Sequence, residues 1–240
     1  MKGETRVLGS ECFHISNLAI GRGGKRLASS IHLAIATGER IGIFGSNGVG
    51  KTTFLRTLLG LESPISGDVA FRGVDVTRGF PTKARQAIGY LPQSIAMVPE
   101  LTLSDFYSAT WRARCRGNSA VKNTTVDGAL EQVGLLDKRY VTLSHLSGGE
   151  LRRALFGALL IIKSECCILD EPTAALDPRA EEEMKDVLSR LEGPVFHSGL
   201  IISHDKKFLY STCQRVFELT PTGLVATECT PIQSTDGVSR

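Results

Sequence analysis

The sequence lacks any long apolar run. Its 240 residues are 42% hydrophobic, but no stretch approaches the roughly 20 consecutive apolar residues that a membrane helix needs. The first residues, MKGETRVLGSECF, also lack the apolar centre of a secretory signal peptide. We therefore expect a cytoplasmic protein, and the composition allows a substantial core in one domain covering 1–240.

Excess charge of one sign and paired cysteines are also missing. The 28 basic and 25 acidic residues leave a net charge of +3, which is too small to indicate a nucleic-acid-binding protein. The cysteines show neither the CxxC spacing of many metal sites nor the density of a disulfide scaffold, so reduced thiols are expected. They are Cys12, Cys115, Cys166, Cys167, Cys213 and Cys229.

Glycine is concentrated in the stretch GSNGVGKTT, which matches the phosphate-binding pattern G-x-x-x-x-G-K-[ST]. The run RIGIF before it predicts a strand, and TTFLRTLLGL after it has the apolar spacing of a helix. Backbone N–H groups would surround a phosphate chain, Lys51 would add a positive charge, and the Thr52 hydroxyl would coordinate Mg²⁺. The alternative is a glycine-rich turn with a chance lysine. The candidate nucleotide-binding residues are Gly45, Ser46, Asn47, Gly48, Val49, Gly50, Lys51, Thr52 and Thr53.

Short strands and helices are predicted around this loop. The segments CFHISNLAI and IHLAIATGE, joined by the turn GRGGK, and the segment SGDVAFRGVDVT are expected to form a small antiparallel sheet. Residues from about 94 to 155 have mainly helical spacing, which predicts a helical subdomain. The tail from about 220 to 240 is polar and its periodicity fades towards the end, so we expect part of it to be mobile.

Two apolar runs, CCILDE and GLIISH, end in titratable residues. Each predicts a buried parallel strand, and ligands gather at the carboxyl ends of such strands. Asp170 is therefore a candidate Mg²⁺ ligand, Glu171 a candidate to polarise an attacking water, and His204 a candidate sensor of the terminal phosphate. Alternatively, the adjacent carboxylates would be a cap and a surface charge, since neighbouring strand residues point to opposite faces. A structural role is expected for the other histidines, His14, His32, His145 and His197.

The segment LSGGE places a serine and two glycines at the predicted start of the helix LRRALFGALL. This arrangement presents a hydroxyl and backbone N–H groups to an anion, although alone it is also an ordinary helix cap. The phosphate loop, Gln93 in YLPQ, LSGGE, CCILDE, AALD and His204 follow one another in the order found in ATP-binding cassette (ABC) ATPases. The chain therefore resembles that family across 45–204.

The resemblance implies an α/β fold: a P-loop NTPase core with a mainly parallel sheet, an antiparallel β subdomain and a helical subdomain. It also implies ATP and Mg²⁺ as cofactors, with each ATP held between the phosphate loop of one cassette and the LSGGE of another. Gln93 would link Mg²⁺ or the water to the helical subdomain, and Asp177 would communicate across the dimer. Alternatively, Gln93 is a solvated loop residue and Asp177 a helix cap. The LSGGE residues acting in trans would be Ser147, Gly148 and Gly149.

One position departs from the family pattern. ABC ATPases usually carry an aromatic residue upstream of the phosphate loop that stacks on adenine, whereas this chain has AIGRGGK there. Arg22 could stack its planar guanidinium on the base, or Phe13 could serve from a neighbouring strand. Arg22 could equally be a solvated turn residue, so the resemblance leaves base selectivity open.

Most single cassettes of this family drive a separate membrane-spanning pair. The resemblance thus implies an ATPase subunit of an ABC transporter, peripheral at the inner face of the cell membrane. An importer is favoured because the cassette is unfused and DKRYVTLSH lacks the acidic, glycine-containing segment of many exporters. The stretch from YLPQ through SIAMVPELTLSDF would help to grip integral membrane permease subunits. Further expected partners are a second cassette, as a homodimer or a paired subunit, and a substrate-binding protein.

The alternative function is that of a soluble ABC ATPase acting on nucleic acid, ribosomes or cluster assembly. DNA-repair relatives insert long coiled coils between the phosphate loop and LSGGE, and this chain has no sustained heptads there. Ribosome-acting relatives usually carry two cassettes, whereas one phosphate loop is present. The balanced charge gives no support to a nucleic-acid partner. A regulator without turnover is a third interpretation, against which Glu171 and His204 argue.

Overall fold

The computed structural model of the protein describes residues 11–94, 98–114, 123–162, 164–190 and 198–227. These residues form a six-stranded sheet, a four-stranded sheet and seven α-helices. The larger sheet is parallel except at one edge, and the smaller one is antiparallel. The predicted α/β class with a mainly parallel sheet and an antiparallel β unit is therefore confirmed.

The six-stranded sheet has the order β10-β9-β3-β8-β7-β6, with β10 antiparallel to β9. All residues of β7 and β8 are buried, as expected for parallel strands covered on both faces. The carboxyl ends of β3, β8 and β7 lie side by side, so the residues that follow them meet at one edge. The strands are β3 (Arg40–Phe44), β6 (Ile88–Leu91), β7 (Cys166–Asp170), β8 (Ser198–Ile202), β9 (Arg215–Thr220) and β10 (Gly223–Thr227).

The four-stranded sheet has the order β2-β1-β4-β5. Its two long strands turn back on each other at Gly23 and Gly24, which both have positive φ angles. The backbone N–H of Ser29 donates to the Pro221 carbonyl (3.1 Å), which joins this sheet to the turn before β10. The strands are β1 (Glu11–Arg22), β2 (Lys25–Ala36), β4 (Ser66–Phe71) and β5 (Val74–Asp75), in agreement with the predicted strand pairs.

The helices divide between the sheets and a mainly helical region. Helix α1 follows β3 directly, while α3, α4 and most of α5 lie in the region predicted to be helical. Helix α5 continues to Ile161, beyond the predicted limit, and packs against α3, α4 and α6. The helices are α1 (Lys51–Leu58), α2 (Thr82–Gln86), α3 (Leu103–Arg114), α4 (Asn123–Gln132), α5 (Gly148–Ile161), α6 (Pro178–Arg190) and α7 (Lys206–Thr212).

Two apolar cores hold these elements together. One lies around the antiparallel sheet, β3 and α1, and includes Phe54 and Phe71. The other joins the helical region to the far side of the parallel sheet and includes Tyr107 and Phe156. Helices α3 and α5 are in close contact at Gly157, where an added Cβ would lie only 2.0 Å from the Tyr107 hydroxyl. Helix α5 is therefore fixed between the helical region and the sheet.

The first part of the predicted tail is ordered as strand β10, which pairs with β9. Residues 228–240 lie outside the described residues, as do His197, Cys115 and Cys229. Within the described ranges, no helix combines the length and the hydrophobicity that crossing a bilayer requires.

Candidate active site

The glycine loop connects β3 to α1, as its sequence context predicts. Gly48 and Gly50 have φ angles of 79° and 109°, which side chains other than glycine rarely tolerate. At Gly45 there is no room for a side chain, because a Cβ there would lie 2.8 Å from the Leu219 carbonyl oxygen. The loop therefore presents bare backbone at the start of a helix, where N–H groups and the helix dipole favour an anion.

Lys51 is buried and folds back over the loop. Its Nζ donates to the carbonyl oxygens of Gly45 (2.8 Å) and Ser46 (3.2 Å). Burial lowers the pKa of Lys51, and the charges of Glu171 and Asp170 partly offset that effect. The ammonium is thus held inside the loop by neutral acceptors, which an anionic ligand could replace.

Asp170 ends β7 and is buried without a hydrogen-bond partner of ordinary geometry among the described residues. Burial raises the pKa of Asp170, while the nearby Thr52 hydroxyl, Arg152 and Lys51 lower it in part. Both carboxylate oxygens thus remain available beside a hydroxyl. This combination of unsatisfied hard oxygen atoms is one that a cation would complete.

Glu171 follows β7 in a left-handed backbone conformation, with φ of 49°. Its Oε2 accepts the backbone N–H of His204 (3.2 Å), and its Oε1 lies 3.0 Å from the His204 Nε2. Burial raises the pKa of Glu171, and His204 is the largest opposing influence. Glu171 lies beyond the end of β7, so the rule that neighbouring strand residues point to opposite faces does not apply to it. Glu171 and Asp170 therefore line the same cleft.

A cleft of about 580 Å³, here called the phosphate-loop cleft, gathers most of the predicted site. Three predicted loop residues do not line this cleft. The carbonyl oxygens of Gly45 and Ser46 accept hydrogen bonds from Lys51, and Val49 is buried in the first core. The predicted residues that line it are Asn47, Gly48, Gly50, Lys51, Thr52, Thr53, Gln93, Asp170, Glu171 and His204.

The LSGGE segment lies at a different place. Ser147 and Asp177 line a second cleft of about 610 Å³, here called the signature cleft, between the end of α4 and helices α5 and α6. Ser147 caps α5, since its Oγ accepts the Glu150 N–H (3.3 Å) and its own N–H donates to Glu150 Oε2 (3.0 Å). Gly148 is exposed, and Gly149 is buried against Ala180. Within one chain, these residues do not reach the phosphate-loop cleft.

Comparison with known proteins identifies the family. The model of the family described as ABC transporter matches residues 28–174, which is more than half of the chain. The chain belongs to the ABC transporter family. This finding confirms the resemblance predicted from the order of the motifs.

Individual relatives agree with the family assignment. The chain is 32% identical over 186 residues to the sulfate/thiosulfate import ATP-binding protein CysA of Mycobacterium tuberculosis, covering 78% of this chain and 52% of that protein. It thus spans about half the length of this relative. It is also 32% identical over 209 residues to the zinc import ATP-binding protein ZnuC of Psychrobacter cryohalolentis, covering 86% of this chain and 79% of that protein.

A solved structure shows the same fold. The cbiO1 subunit of Clostridium perfringens, part of the ABC transporter complex cbiONQ, superposes with a TM-score of 0.79 at 24% identity, over 90% of this chain and 87% of that one. The fold is therefore that of an ABC ATPase cassette, as the sequence predicted.

Two predicted residues of this ABC family member have local structural partners. Asp177 caps α6, because its Oδ1 accepts the N–H groups of Arg179 and Ala180, both at 3.0 Å. The cap suggested as the alternative is thus present, and a role across a dimer stays a prediction. Gln93 is exposed in the phosphate-loop cleft, and its backbone carbonyl accepts from Arg152 (3.2 Å).

Arg22, Gly23 and Leu27 also line the phosphate-loop cleft. Phe13, the alternative base-stacking residue, is 1% exposed and packs its ring 5.0 Å from that of Phe71, so it cannot contact a ligand there. Among the described residues that line the cleft of this ABC cassette, none is a phenylalanine, tyrosine or tryptophan.

Two residues near the site were not recognised in the sequence. Leu27 packs beneath Gly50 of the loop, with its Cβ 3.1 Å from a Cβ added at that glycine. Arg152 lies on α5 and binds backbone carbonyls of the chain segments after β6 and β7. The position of Arg152 beside LSGGE could have suggested a role in the site. Its acceptors, however, are backbone atoms of residues far away in the chain, and backbone atoms leave no pattern in the sequence.

Proposed function

We propose that the protein binds ATP in the phosphate-loop cleft and hydrolyses it as the nucleotide-binding subunit of an ABC transporter. The observation that carries the proposal is the convergence of the glycine loop, Lys51, Asp170, Glu171 and His204 in one cleft. The family assignment and the cassette fold support it. We further propose that 1–240 form a single cassette, with about 94–155 as its helical subdomain.

Phosphate binding uses the loop backbone and Lys51. The N–H groups at the start of α1 and the positive end of the helix dipole attract the phosphate chain. The Lys51 ammonium exchanges the Gly45 and Ser46 carbonyls for phosphate oxygens, which form stronger, charge-assisted hydrogen bonds. The remaining loop residues, Asn47, Gly48, Val49, Gly50 and Thr53, shape this cradle.

A Mg²⁺ ion fits the same site, because the buried Asp170 carboxylate has unsatisfied oxygens and Thr52 offers a hydroxyl beside it. Mg²⁺ binds such oxygen ligands together with phosphates and water rather than in an all-protein cage. We propose Asp170, directly or through water, Thr52 and the Gln93 side chain as its protein contacts. The ion would neutralise charge on the terminal phosphates during phosphoryl transfer.

Glu171 is proposed as the general base. A carboxylate whose pKa is raised by burial accepts a proton from water more readily than an ordinary glutamate. The water would give its proton to Glu171 while its oxygen attacks the γ-phosphorus. The bond from the γ-phosphorus to the bridging oxygen would break, leaving ADP and inorganic phosphate. His204 holds the carboxylate in place through its backbone N–H and would contact the γ-phosphate with its exposed ring. Gln93, which lines the same cleft, would orient the water.

A second cassette would complete each site. The helix start at Ser147, Gly148 and Gly149 is shaped for an anion but lies away from the phosphate-loop cleft of its own chain. Head-to-tail pairing of two copies, or of this chain with a paired cassette, places ATP between the two motifs. Asp177, at the start of α6, would lie near this junction.

The cassette would drive integral membrane permease subunits and act at the inner, cytoplasmic face of the membrane. The relatives named above are import ATP-binding proteins for different cargoes, sulfate or thiosulfate and zinc. These names support import and show that cargo differs among similar cassettes. A substrate-binding protein is proposed as a further partner of an importer. These names do not favour the alternative of a soluble, non-transport ATPase or a nucleic-acid partner.

Isolation of the partner tests the proposal. The chain carrying Glu171→Gln is tagged in its native host, membranes are dissolved in mild detergent with ATP present, and the proteins that co-purify are identified. A multi-spanning membrane protein is the expected result. Soluble ribosomal or cluster-assembly proteins alone would contradict the transport role, and Lys51→Ala serves as the control with weakened ATP binding.

A further inference from the structure

Arg152 is a buried cation whose hydrogen bonds all go to backbone atoms among the described residues. The residue is 5% exposed on α5, and no carboxylate among the described residues forms an ion pair with it. A buried guanidinium needs acceptors for its five N–H groups. Here the acceptors are all backbone carbonyl oxygens, those of Pro92, Gln93, Asp170, Glu171 and Pro172.

One side of the guanidinium holds the end of β7. Its Nη2 donates to the Asp170 and Glu171 carbonyls (both 2.9 Å), and its Nε donates to the Pro172 carbonyl (3.0 Å). This is the segment in which Glu171 takes a left-handed backbone conformation. Such a conformation persists when the surrounding structure fixes it, and three hydrogen bonds from one side chain do so here.

The other side holds the residues after β6. The Arg152 Nη1 donates to the Gln93 carbonyl (3.2 Å) and to that of Pro92. Strands β6 and β7 are neighbours in the sheet, with Leu91 opposite Leu169, so both segments leave the sheet at the same edge. Arg152 therefore links the two segments beyond the last hydrogen bonds between β6 and β7.

We propose that Arg152 is a positioning residue that sets the distance between Gln93 and Glu171, and so the place of the attacking water, without touching the nucleotide. The inference rests on the proposed function. Because Arg152 lies on the helix that Ser147 caps, it also connects the signature cleft of a chain to the catalytic segments of the same chain. A planar fork suits this task, since Nη1 serves one segment and Nη2 the other, whereas lysine has a single nitrogen for both.

Hydrogen exchange tests the structural half of the proposal in the full chain without any nucleotide. Arg152→Lys should speed exchange about tenfold in peptides covering 88–94 and 168–174, because the hydrogen bonds that tie them together are lost. The control is Arg139→Lys, which disturbs a half-buried pair with Asp127 in the helical region. Unchanged exchange in both peptides of Arg152→Lys would overturn the proposal.

Kinetics test the functional half. Below the melting midpoints of all variants, Arg152→Lys should lower kcat at least about tenfold and leave the KM for ATP within about twofold, whereas Arg139→Lys changes neither. In a Gln93→Ala background the Arg152→Lys effect should shrink, because both changes disturb the same geometry. Additive effects, or equal losses in kcat and affinity, would indicate a general structural role. Absence of ATP turnover in the unmodified chain would instead contradict the proposed function.

Discussion

The two clefts differ in how their charged groups are satisfied. In the phosphate-loop cleft, Asp170 has no hydrogen-bond partner of ordinary geometry among the described residues, and Lys51 is held by neutral carbonyls. In the signature cleft each basic side chain has an acidic partner: Lys138 binds Glu150, and Arg153 and Arg179 both bind Glu183. A ligand would therefore complete the first cleft, whereas the second presents a helix start to another chain. Substitutions in the first cleft should affect ligand binding by a single chain. Substitutions in the second should affect the stability of a single chain and, at the helix start, hydrolysis by the pair.

The largest expected effect is that of Glu171→Gln. Loss of the proton acceptor should lower kcat at least about 100-fold, while ATP affinity stays within about threefold. The matched change in the signature cleft, Glu183→Gln, removes ion pairs with Arg153 and Arg179 and should leave kcat within about twofold. Phosphate release and ATP titration measure both variants. Near-normal turnover by Glu171→Gln would remove it as the base.

Lys51→Ala should weaken ATP binding about 10- to 100-fold, the range expected for lost charge-assisted hydrogen bonds. Lys138→Ala, which removes a cation from the signature cleft instead, should leave the affinity of a single chain unchanged. A titration at a concentration that keeps the chain monomeric measures both. Equal affinities for the two variants would contradict the difference between the clefts.

Ser147→Ala should lower the unfolding free energy by about 1 kcal/mol through loss of the helix cap. It should not change ATP binding by a single chain, but it should reduce hydrolysis by the pair. Ser147→Asp separates these effects, since aspartate restores the cap but repels a phosphate. Recovery of hydrolysis along with stability would show that only the cap matters.

The pH dependence of stability should have opposite signs in the two clefts. Burial raises the folded-state pKa of Asp170, so its ionised form is destabilising at neutral pH and that penalty disappears below the ordinary value of 3.8. Asp170→Asn should therefore stabilise the nucleotide-free protein in EDTA at pH 7, and the gain should shrink as the pH falls towards 3.8 and disappear below it.

Glu150→Gln provides the contrast. The hydrogen bond from Lys138, followed by that from Ser147, lowers the folded-state pKa of Glu150. Its ionised form is therefore stabilising above the ordinary pKa, and the variant should be less stable at pH 7 and equal to the unmodified protein in acid. Denaturant unfolding from about pH 3 to pH 8 measures both variants. The same sign for both would contradict the assigned environments.

The smallest expected effect concerns the choice of nucleotide base. Because Arg22, Gly23 and Leu27 line the phosphate-loop cleft, the affinities for ATP and GTP should lie within about threefold of each other. Arg22→Tyr should strengthen the binding of both nucleotides by a similar small factor, because an aromatic face stacks on any base. Competition titrations measure this, with Arg26→Tyr, a nearby exposed position outside the cleft, as the control. Strong preference for ATP would show that other groups read the base.

Local patterns were enough to predict the parts of the site that one segment builds. The glycine loop before α1 and the buried strand ending at Asp170 each carry their signal in a few adjacent residues. The signature sequence predicted the family, and the helix cap that it offered as an alternative is present as the capping box of Ser147 with Glu150. Strands β6 and β9 were not assigned, since their short runs at Tyr90 and Val216 show little periodicity and gain their structure from neighbouring strands.

Long-range contacts explain what the sequence did not show. Arg152 binds carbonyls about 20 and 60 residues away, and no residue type marks those positions. Phe13 was a reasonable stacking candidate by chain distance, but β1 turns its ring into the core against Phe71. The shared cleft of Asp170 and Glu171 depends on one left-handed residue, which strand periodicity does not predict.

The central claim is that catalysis needs the phosphate-loop cleft of one chain and the signature cleft of another. Mixing two inactive variants, Lys51→Ala and Ser147→Arg, tests it most directly. In the mixed pair one site has an intact loop facing an intact signature, so ATP hydrolysis should return on mixing and increase with total protein concentration. If the mixture stays as inactive as its components while each variant is folded and pairs normally, the two clefts do not form a shared site.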